Sequence, residues 1–260
     1  MPSAAFFDLD KTILAKSSSF AFAWPFYRVG LIGRADVVRS AYAQFVYMAS
    51  GADHDQMERM RAYMAELVTG WEVQAVQDIV AQTLDEIVDP IVYQEAVDLI
   101  AMHKAAGRDV IIISTSGTDV VEPIGERLGA DITIGTQVAV QDGRYTGEIL
   151  FYAYGQGKAE AMLALAEEHG YDLADSYAYT DSQTDLPMLE LVGHPVAVNP
   201  DAELRRIASQ RRWPVLDFVR PIGMRKRIDS RQAAAAGATV AIGAVALGIA
   251  WYALRRAARS

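Results

Sequence analysis

The apolar run at residues 4–9 closes on two acids one residue apart, Asp8 and Asp10, and this ending constrains the fold more than any other feature of the chain. A buried strand delivers polar side chains this way when its C-terminal edge faces a ligand. After Ser17 the pattern changes. Up to Asp89, strand-like runs vanish and apolar residues recur at helical spacing, as in Ala41, Phe45 and Met48, then Met57, Met60, Met64 and Leu67. Turn-forming stretches at 30–33, 50–55 and 69–71 divide this region into about three or four helices.

From Pro90 strands and helices alternate again. The spacing predicts a helix through about Ala105, a strand at 109–113, and a helix from about Asp119 that closes at Leu128-Gly129. Runs at 131–140 and 144–150 flank Asp142-Gly143, a strong hairpin signal. A helix at 157–169, a strand at 176–180, a helix at 184–192 and a strand at 195–198 follow. The expected class is α/β: a doubly wound, mostly parallel Rossmann-like sheet with a helical insertion after the first strand.

A net charge of −9, with no basic stripe through the first 215 or so residues, excludes a nucleic-acid binder. Without cysteine there is no disulfide framework, thiolate nucleophile or cysteine zinc site. The histidines, His54, His103, His169 and His194, lack metal-ligand spacing and read as structural or solvated. The N-terminus lacks the basic start and apolar stretch of a secretory signal, so the catalytic body is expected in the cytoplasm.

The C-terminal region differs in kind. Residues 233–254 carry no charge, and as a helix they extend about 33 Å, enough to cross a bilayer core. Arg225, Lys226, Arg227 and Arg231 precede the run, Arg255, Arg256 and Arg259 follow it, and Trp251 and Tyr252 sit near one end as interfacial anchors would. The expectation is a single membrane-spanning helix at the cell membrane, with a helix lying on the surface as the alternative. The domain reading is a catalytic core at 1–16 and 90–218, a helical cap at 17–89, a basic linker at 219–232 and the apolar helix at 233–254.

Four features occur in order at predicted strand or helix ends: Asp8-Leu9-Asp10-Lys11-Thr12, Ser114 after four apolar residues, Lys158 at a helix start, and Asp181 with Asp185. Each alone has an ordinary explanation as a cap, turn or solvated charge. Their joint order is the specific signal. Hydrolysing a phosphomonoester needs an in-line nucleophile, a cation for the phosphoryl oxygens and an acid for the leaving oxygen. A carboxylate such as Asp8 is ionised near neutral pH and can attack phosphorus without a base. Asp10 can protonate the leaving oxygen and later activate water, a role that calls for a raised pKa, expected here from neighbouring like charges.

The set resembles the haloacid dehalogenase superfamily of phosphohydrolases, and the helical insertion and hairpin resemble its subgroup containing phosphoserine phosphatases. The resemblance implies an aspartyl-phosphate intermediate on Asp8, with Mg2+ held by Asp8, the backbone carbonyl of Asp10 and Asp181. It also implies Asp185 outside the metal, orienting a bound water or Lys158, and phosphate binding by Lys158 and by Ser114 or its neighbours Thr115 and Ser116. Phosphoserine phosphatases use a glutamate shortly after the first motif to grip the substrate amino group, and residues 15–19 here hold no acid. The aromatic cluster Phe20, Phe22, Trp24, Phe26 and Tyr27, with Tyr42, Phe45 and Tyr47, reads mainly as cap core, with a minority lining an apolar entrance. The expected partner is a small-molecule or lipid phosphomonoester. Phosphoserine itself, a catalytically weak phosphate-binding regulator and a phosphomutase are the alternatives.

Overall fold

The computed structural model describes residues 1–33 and 54–221. Tyr42, Phe45 and Tyr47, most of the basic linker and the apolar run at 233–254 lie outside the described residues. Among the described residues, no helix is long and apolar enough to cross a membrane.

The chain begins with β1 (Ala4–Phe7), continues through α1 (Ser18–Ala21), α2 (Ala23–Arg28), α3 (His54–Val68), α4 (Val73–Ile87) and α5 (Gln94–Ala105), and reaches β2 (Asp109–Gly117). Then come α6 (Thr118–Leu128), the β3 (Ile132–Gln141) and β4 (Arg144–Phe151) pair, α7 (Gln156–His169), β5 (Tyr177–Thr180) and α8 (Leu186–Glu190). The last described elements are β6 (His194–Val198), α9 (Ala202–Arg211) and β7 (Val215–Leu216). The strands form one sheet in the order β4-β3-β2-β1-β5-β6-β7, parallel except at the β3–β4 hairpin. Strand β1 has β2 on one side and β5 on the other, so the chain order reverses beside it, where such sheets open a crevice at their C-terminal edge.

Both faces of the sheet are buried, which is why the central strands are apolar without alternation. Side chains point alternately to the two faces. Ala5, Phe7, Val110 and Ile112 join one core with α4, α5, α6 and Phe26 of α2. Ala4, Phe6, Ile111 and Ile113 join a second core with α7, α8 and α9. The hairpin turn has positive φ at both Asp142 and Gly143, as a tight two-residue turn between twisted strands requires. The hairpin also pairs with the α3–α4 junction: Tyr145 accepts from the Gly70 N–H at 2.8 Å and donates to the Trp71 carbonyl at 3.0 Å.

Three local expectations change. Strand β2 runs on to Gly117 instead of stopping at Ile113, so the Ser114–Ser116 hydroxyls ride on a strand end; Gly117 occupies the helix N-cap with no side-chain cap. The predicted helix at 184–192 is a 3-10 turn at Gln183–Asp185 followed by the shorter α8, because Pro187 has no N–H to continue a regular helix from Thr184. Helix α9 and strand β7 add to the expected pattern, and the α9 start is capped by Asp201, which accepts from the Leu204 N–H at 2.7 Å.

The α8–β6 turn is closed tightly at Gly193, where a Cβ would stand 1.8 Å from the Ala174 carbonyl oxygen. Gly193→Ala is therefore expected to lower stability by about 3 kcal/mol, read as a fall in urea midpoint without loss of the folded baseline. A neutral result would show that the turn can open freely.

Candidate functional site

The Asp8 N–H donates to the Tyr179 carbonyl at 2.9 Å, carrying the β1–β5 ladder one residue past the strand. The chain then turns sharply: the Ile13 and Leu14 N–H groups both return to the Leu9 carbonyl, and Lys11 takes a left-handed φ of 61°. A non-glycine residue in that region is held there by its surroundings. The turn leaves Asp8 and Asp10 at the C-terminal edge of the sheet, beside the crevice.

Lys158 reaches this edge from the first turn of α7. Gly155, at φ 51°, makes the approach, and a side chain on Gly157 would collide with the Tyr152 carbonyl. Lys158 is 2% exposed and donates to Asp8 Oδ1 at 2.5 Å and to Asp185 Oδ2 at 2.7 Å. Asp185 Oδ2 also accepts from the Thr180 hydroxyl at 2.7 Å. Burial opposes the charge on the lysine, but Asp185 and Asp8 outweigh it and hold the ammonium well above its ordinary range. Asp185, expected to orient a bound water or Lys158, contacts Lys158 directly and ends a 3-10 turn, not a full α-turn.

Asp8 is itself buried, and that burial, partly countered by Lys158 and reinforced by Asp185 and Asp10, pushes its carboxyl up to about 7. Asp181 is pushed up to about 8, first by burial and then by Asp8. Asp10 is also raised. The cause differs from the one anticipated: burial raises it, while the Ser18 N–H, at 2.8 Å from Oδ1, and the Ser17 hydroxyl, at 3.3 Å from Oδ2, pull it back.

Ser114 is buried, and its Oγ accepts from the Ser116 N–H at 3.3 Å. Thr115 points to the other face of β2 and donates to the Ala153 carbonyl at 3.1 Å, away from Ser114. The Ser116 hydroxyl pairs with Ser18 Oγ at 2.7 Å and Ser19 Oγ at 3.2 Å. Sequence reasoning missed Thr180, Ser17 and Ser18 as partners of the acids. No local pattern marks them, since each contact joins residues on different elements or across a turn.

His103 is fully buried, pairs with the Tyr179 hydroxyl at 2.8 Å, and is pushed down to about 4 by burial and by Arg108, in keeping with a structural role. In the aromatic cluster Phe22 and Phe26 are core, whereas Phe20 and Trp24 are 55% and 65% exposed.

Among the described residues no group of three or more His, Cys, Asp or Glu side chains is placed to hold a metal ion by itself. The available donors are the Asp8 and Asp181 carboxylates and backbone oxygens. The Asp181 side chain has no hydrogen bond or ion pair of its own among the described residues, and both acids are raised. Two neighbouring acids whose charged forms are disfavoured by burial would be stabilised by a cation, and Mg2+ fits such a donor set because it takes one or two carboxylates and keeps several waters, without a complete protein cage.

Residues 5–190 match the haloacid dehalogenase-like hydrolase family. The chain is 57% identical to the inhibition of morphological differentiation protein of Streptomyces azureus, over 98% of this chain and 94% of that one. It is 54% identical to a probable phosphatase of Mycobacterium tuberculosis, over 97% of this chain and 89% of that one. Among solved structures, a Bordetella pertussis protein of unknown function is 29% identical, with a TM-score of 0.74 over 84% of this chain and 100% of that one. A substrate-bound phosphoserine phosphatase, 19% identical, shares the fold at a TM-score of 0.61 over 89% of this chain and 96% of that one. With its four ordered features gathered at one sheet edge and this match across most of its length, the chain belongs to the haloacid dehalogenase-like hydrolase family.

Proposed function

We propose that the protein is an Mg2+-dependent phosphomonoester hydrolase that forms an aspartyl phosphate on Asp8. It is a phosphatase of its family, in keeping with its 54% identical relative. The observation that carries the reading is the buried Asp8–Lys158–Asp185 set, with its contacts of 2.5 and 2.7 Å, at the switch point of the sheet.

In this reading an Asp8 carboxylate oxygen bonds to phosphorus as the ester oxygen leaves with a proton from Asp10. Asp10 then takes a proton from the water that opens the acyl phosphate, returning Asp8 and releasing phosphate. Lys158 holds Asp8 in place and offsets phosphoryl charge; buried Ser114 supplies the hydroxyl next to the phosphoryl group, a role that its position favours over Thr115. Asp8, Asp181 and the Asp10 carbonyl would hold Mg2+, which when bound would neutralise the phosphoryl oxygens. Asp185 acts by fixing Lys158. Residues 17–89 act as the cap, a role supported by the Ser18 contact to Asp10.

The proposed location is the cell membrane, with residues 233–254 as the anchor and the catalytic body on the cytoplasmic side. Exposed Phe20 and Trp24, close in sequence to the site, favour a substrate with an apolar portion, such as a lipid phosphomonoester. Phosphate release from soluble and lipid monoesters, with Mg2+ or with chelator, tests both parts. Mg2+-dependent release is expected, fastest on lipid esters in vesicles. Rapid turnover of soluble esters with none on lipids would remove the lipid substrate, and an isomerised product without free phosphate would remove the hydrolase.

The raised acids predict a pH effect on stability. Asp8 and Asp181 bind protons more tightly when folded, so between their ordinary value of 3.8 and their folded values of about 7 and about 8, stability falls as pH rises. With chelator present, Tm is expected to drop between about pH 5 and about pH 8.5, and Mg2+ to restore it mainly at the alkaline end. Equal Mg2+ effects at both ends would count against these acids as ligands.

A further inference from the structure

The Ser116 hydroxyl does something different from the neighbouring Ser114. Both face the same side of β2, yet Ser116 Oγ lies 2.7 Å from Ser18 Oγ and 3.2 Å from Ser19 Oγ, at the entry to the helical segment. Ser18 is fully buried and Ser116 is 7% exposed, so water does not readily replace this contact. The Ser18 N–H is also the group that holds Asp10 Oδ1 at 2.8 Å, and the Ser17 hydroxyl holds Oδ2. A continuous path therefore runs from the end of β2 to Asp10: Ser116 fixes the Ser18 side chain, Ser18 fixes the direction of its own N–H, and that N–H sets where the Asp10 carboxyl stands. The Ser116 N–H closes the path on the other side by donating to Ser114 Oγ.

We infer that Ser116 is a positioning residue that latches the start of the helical segment to β2 and thereby aims the proton of Asp10 at the leaving oxygen. The inference rests on the reading of Asp10 as the acid. Ser116 itself touches no reacting atom. A buried hydroxyl deprived of its partner relaxes toward another one, so without Ser116 the Ser17–Ser19 turn is free to shift and Asp10 moves with it.

Leaving-group dependence separates this role from structural damage and from phosphate binding. An alkyl monoester needs the proton, because its leaving oxygen is strongly basic; p-nitrophenyl phosphate departs without one. Full-length wild type, Asp10→Asn, Ser116→Ala, Ser116→Thr and Ser18→Ala are compared on glycerol phosphate and p-nitrophenyl phosphate with Mg2+, alongside inhibition by inorganic phosphate. Ser116→Ala is expected to lower kcat/KM, which reports departure of the ester oxygen and not the acyl-phosphate hydrolysis that both esters share, about tenfold more on the alkyl ester than on the aryl ester, in the same sense as Asp10→Asn but less. Ser18→Ala should reproduce that selective loss, Ser116→Thr should largely restore the alkyl rate, and phosphate inhibition should stay within about twofold of wild type.

Equal losses of kcat/KM on both esters, or a weakened phosphate inhibition, would overturn the latch and return Ser116 to a general structural or phosphate-binding role. If Ser116→Ala is insoluble, the Ser18→Ala ratio decides alone. If Asp10→Asn shows no leaving-group selectivity, the assignment of Asp10 as acid fails first, and that failure is visible separately from the behaviour of Ser116.

Discussion

Asp8→Asn is expected to lower Mg2+-dependent phosphate release on the order of 10^4-fold or more while leaving the metal-free protein at least as stable as wild type. The amide keeps the shape of the side chain but cannot become the acyl phosphate. The stability half follows from sign. Burial raises the Asp8 carboxyl from 3.8 to about 7, so ionising it in the folded protein costs free energy despite Lys158 at 2.5 Å. At about pH 8 a neutral amide avoids that cost, and the metal-free variant should melt no lower than wild type. Lys158 retains Asp185 at 2.7 Å, so the substitution does not strand a buried cation. Phosphate release with saturating Mg2+ and melting in chelator measure the two halves. Substantial Mg2+-dependent turnover by the variant would mean another nucleophile, and a strongly lowered melting point would make Asp8 chiefly a structural partner of Lys158.

Lys158→Met should do the opposite to stability. Among the described residues it removes the one cation that contacts both carboxylates, and leaves Asp8 and Asp185 buried without it. An uncompensated buried charge costs about 3–5 kcal/mol, which for a chain of this size lowers Tm by about 10 °C. Activity should fall on the order of 10^3-fold, because the nucleophile loses its position and the phosphoryl group a fixed charge. Lys158→Arg should not rescue it, since a planar guanidinium does not replace a compact ammonium in a pocket that leaves 2% of the lysine exposed. The control is Lys104→Met. That lysine pairs with Asp131 at 2.7 Å, but both side chains are more than a third exposed, and the loss should be within about 1 kcal/mol. If the two lysine variants melted alike, the buried set would not be what holds this edge of the fold together.

Much of the fold is legible because the signals are local. The hairpin at Asp142-Gly143 depends on residues that tolerate positive φ, and both adopt it. The apolar runs around Phe6 and Ile112 lack alternation because both sheet faces are covered, a property carried by each run alone. Where neighbours compete, sequence reasoning loses its grip. Pro187 shortens a helix that apolar spacing extends, and β2 continues through three hydroxyl residues that resemble a helix cap, because pairing with β3 is interrupted after Ile113 and resumes at Gly117 while the hydroxyls of Ser18 and Thr136 bond to the stretch between. The raised carboxyl of Asp10 follows from the sequence in direction but not in cause, since burial depends on everything packed around it.

By itself the sequence determined that Asp8 stands at a strand tip, that Asp10 follows it through the turn, and that Lys158, Asp181 and Asp185 each lie near the end of an element, because strand and helix periodicities and their terminators act over a few residues. Only the tertiary structure decided which of these meet. Lys158 contacts Asp8 across 150 positions of chain and Asp185 across 27, while Thr115, adjacent to Ser114, turns to the other face. That selection comes from the parallel sheet placing β5 beside β1 and α7 against the sheet edge, and from burial, which makes an ionised group costly unless its partner is within hydrogen-bonding distance.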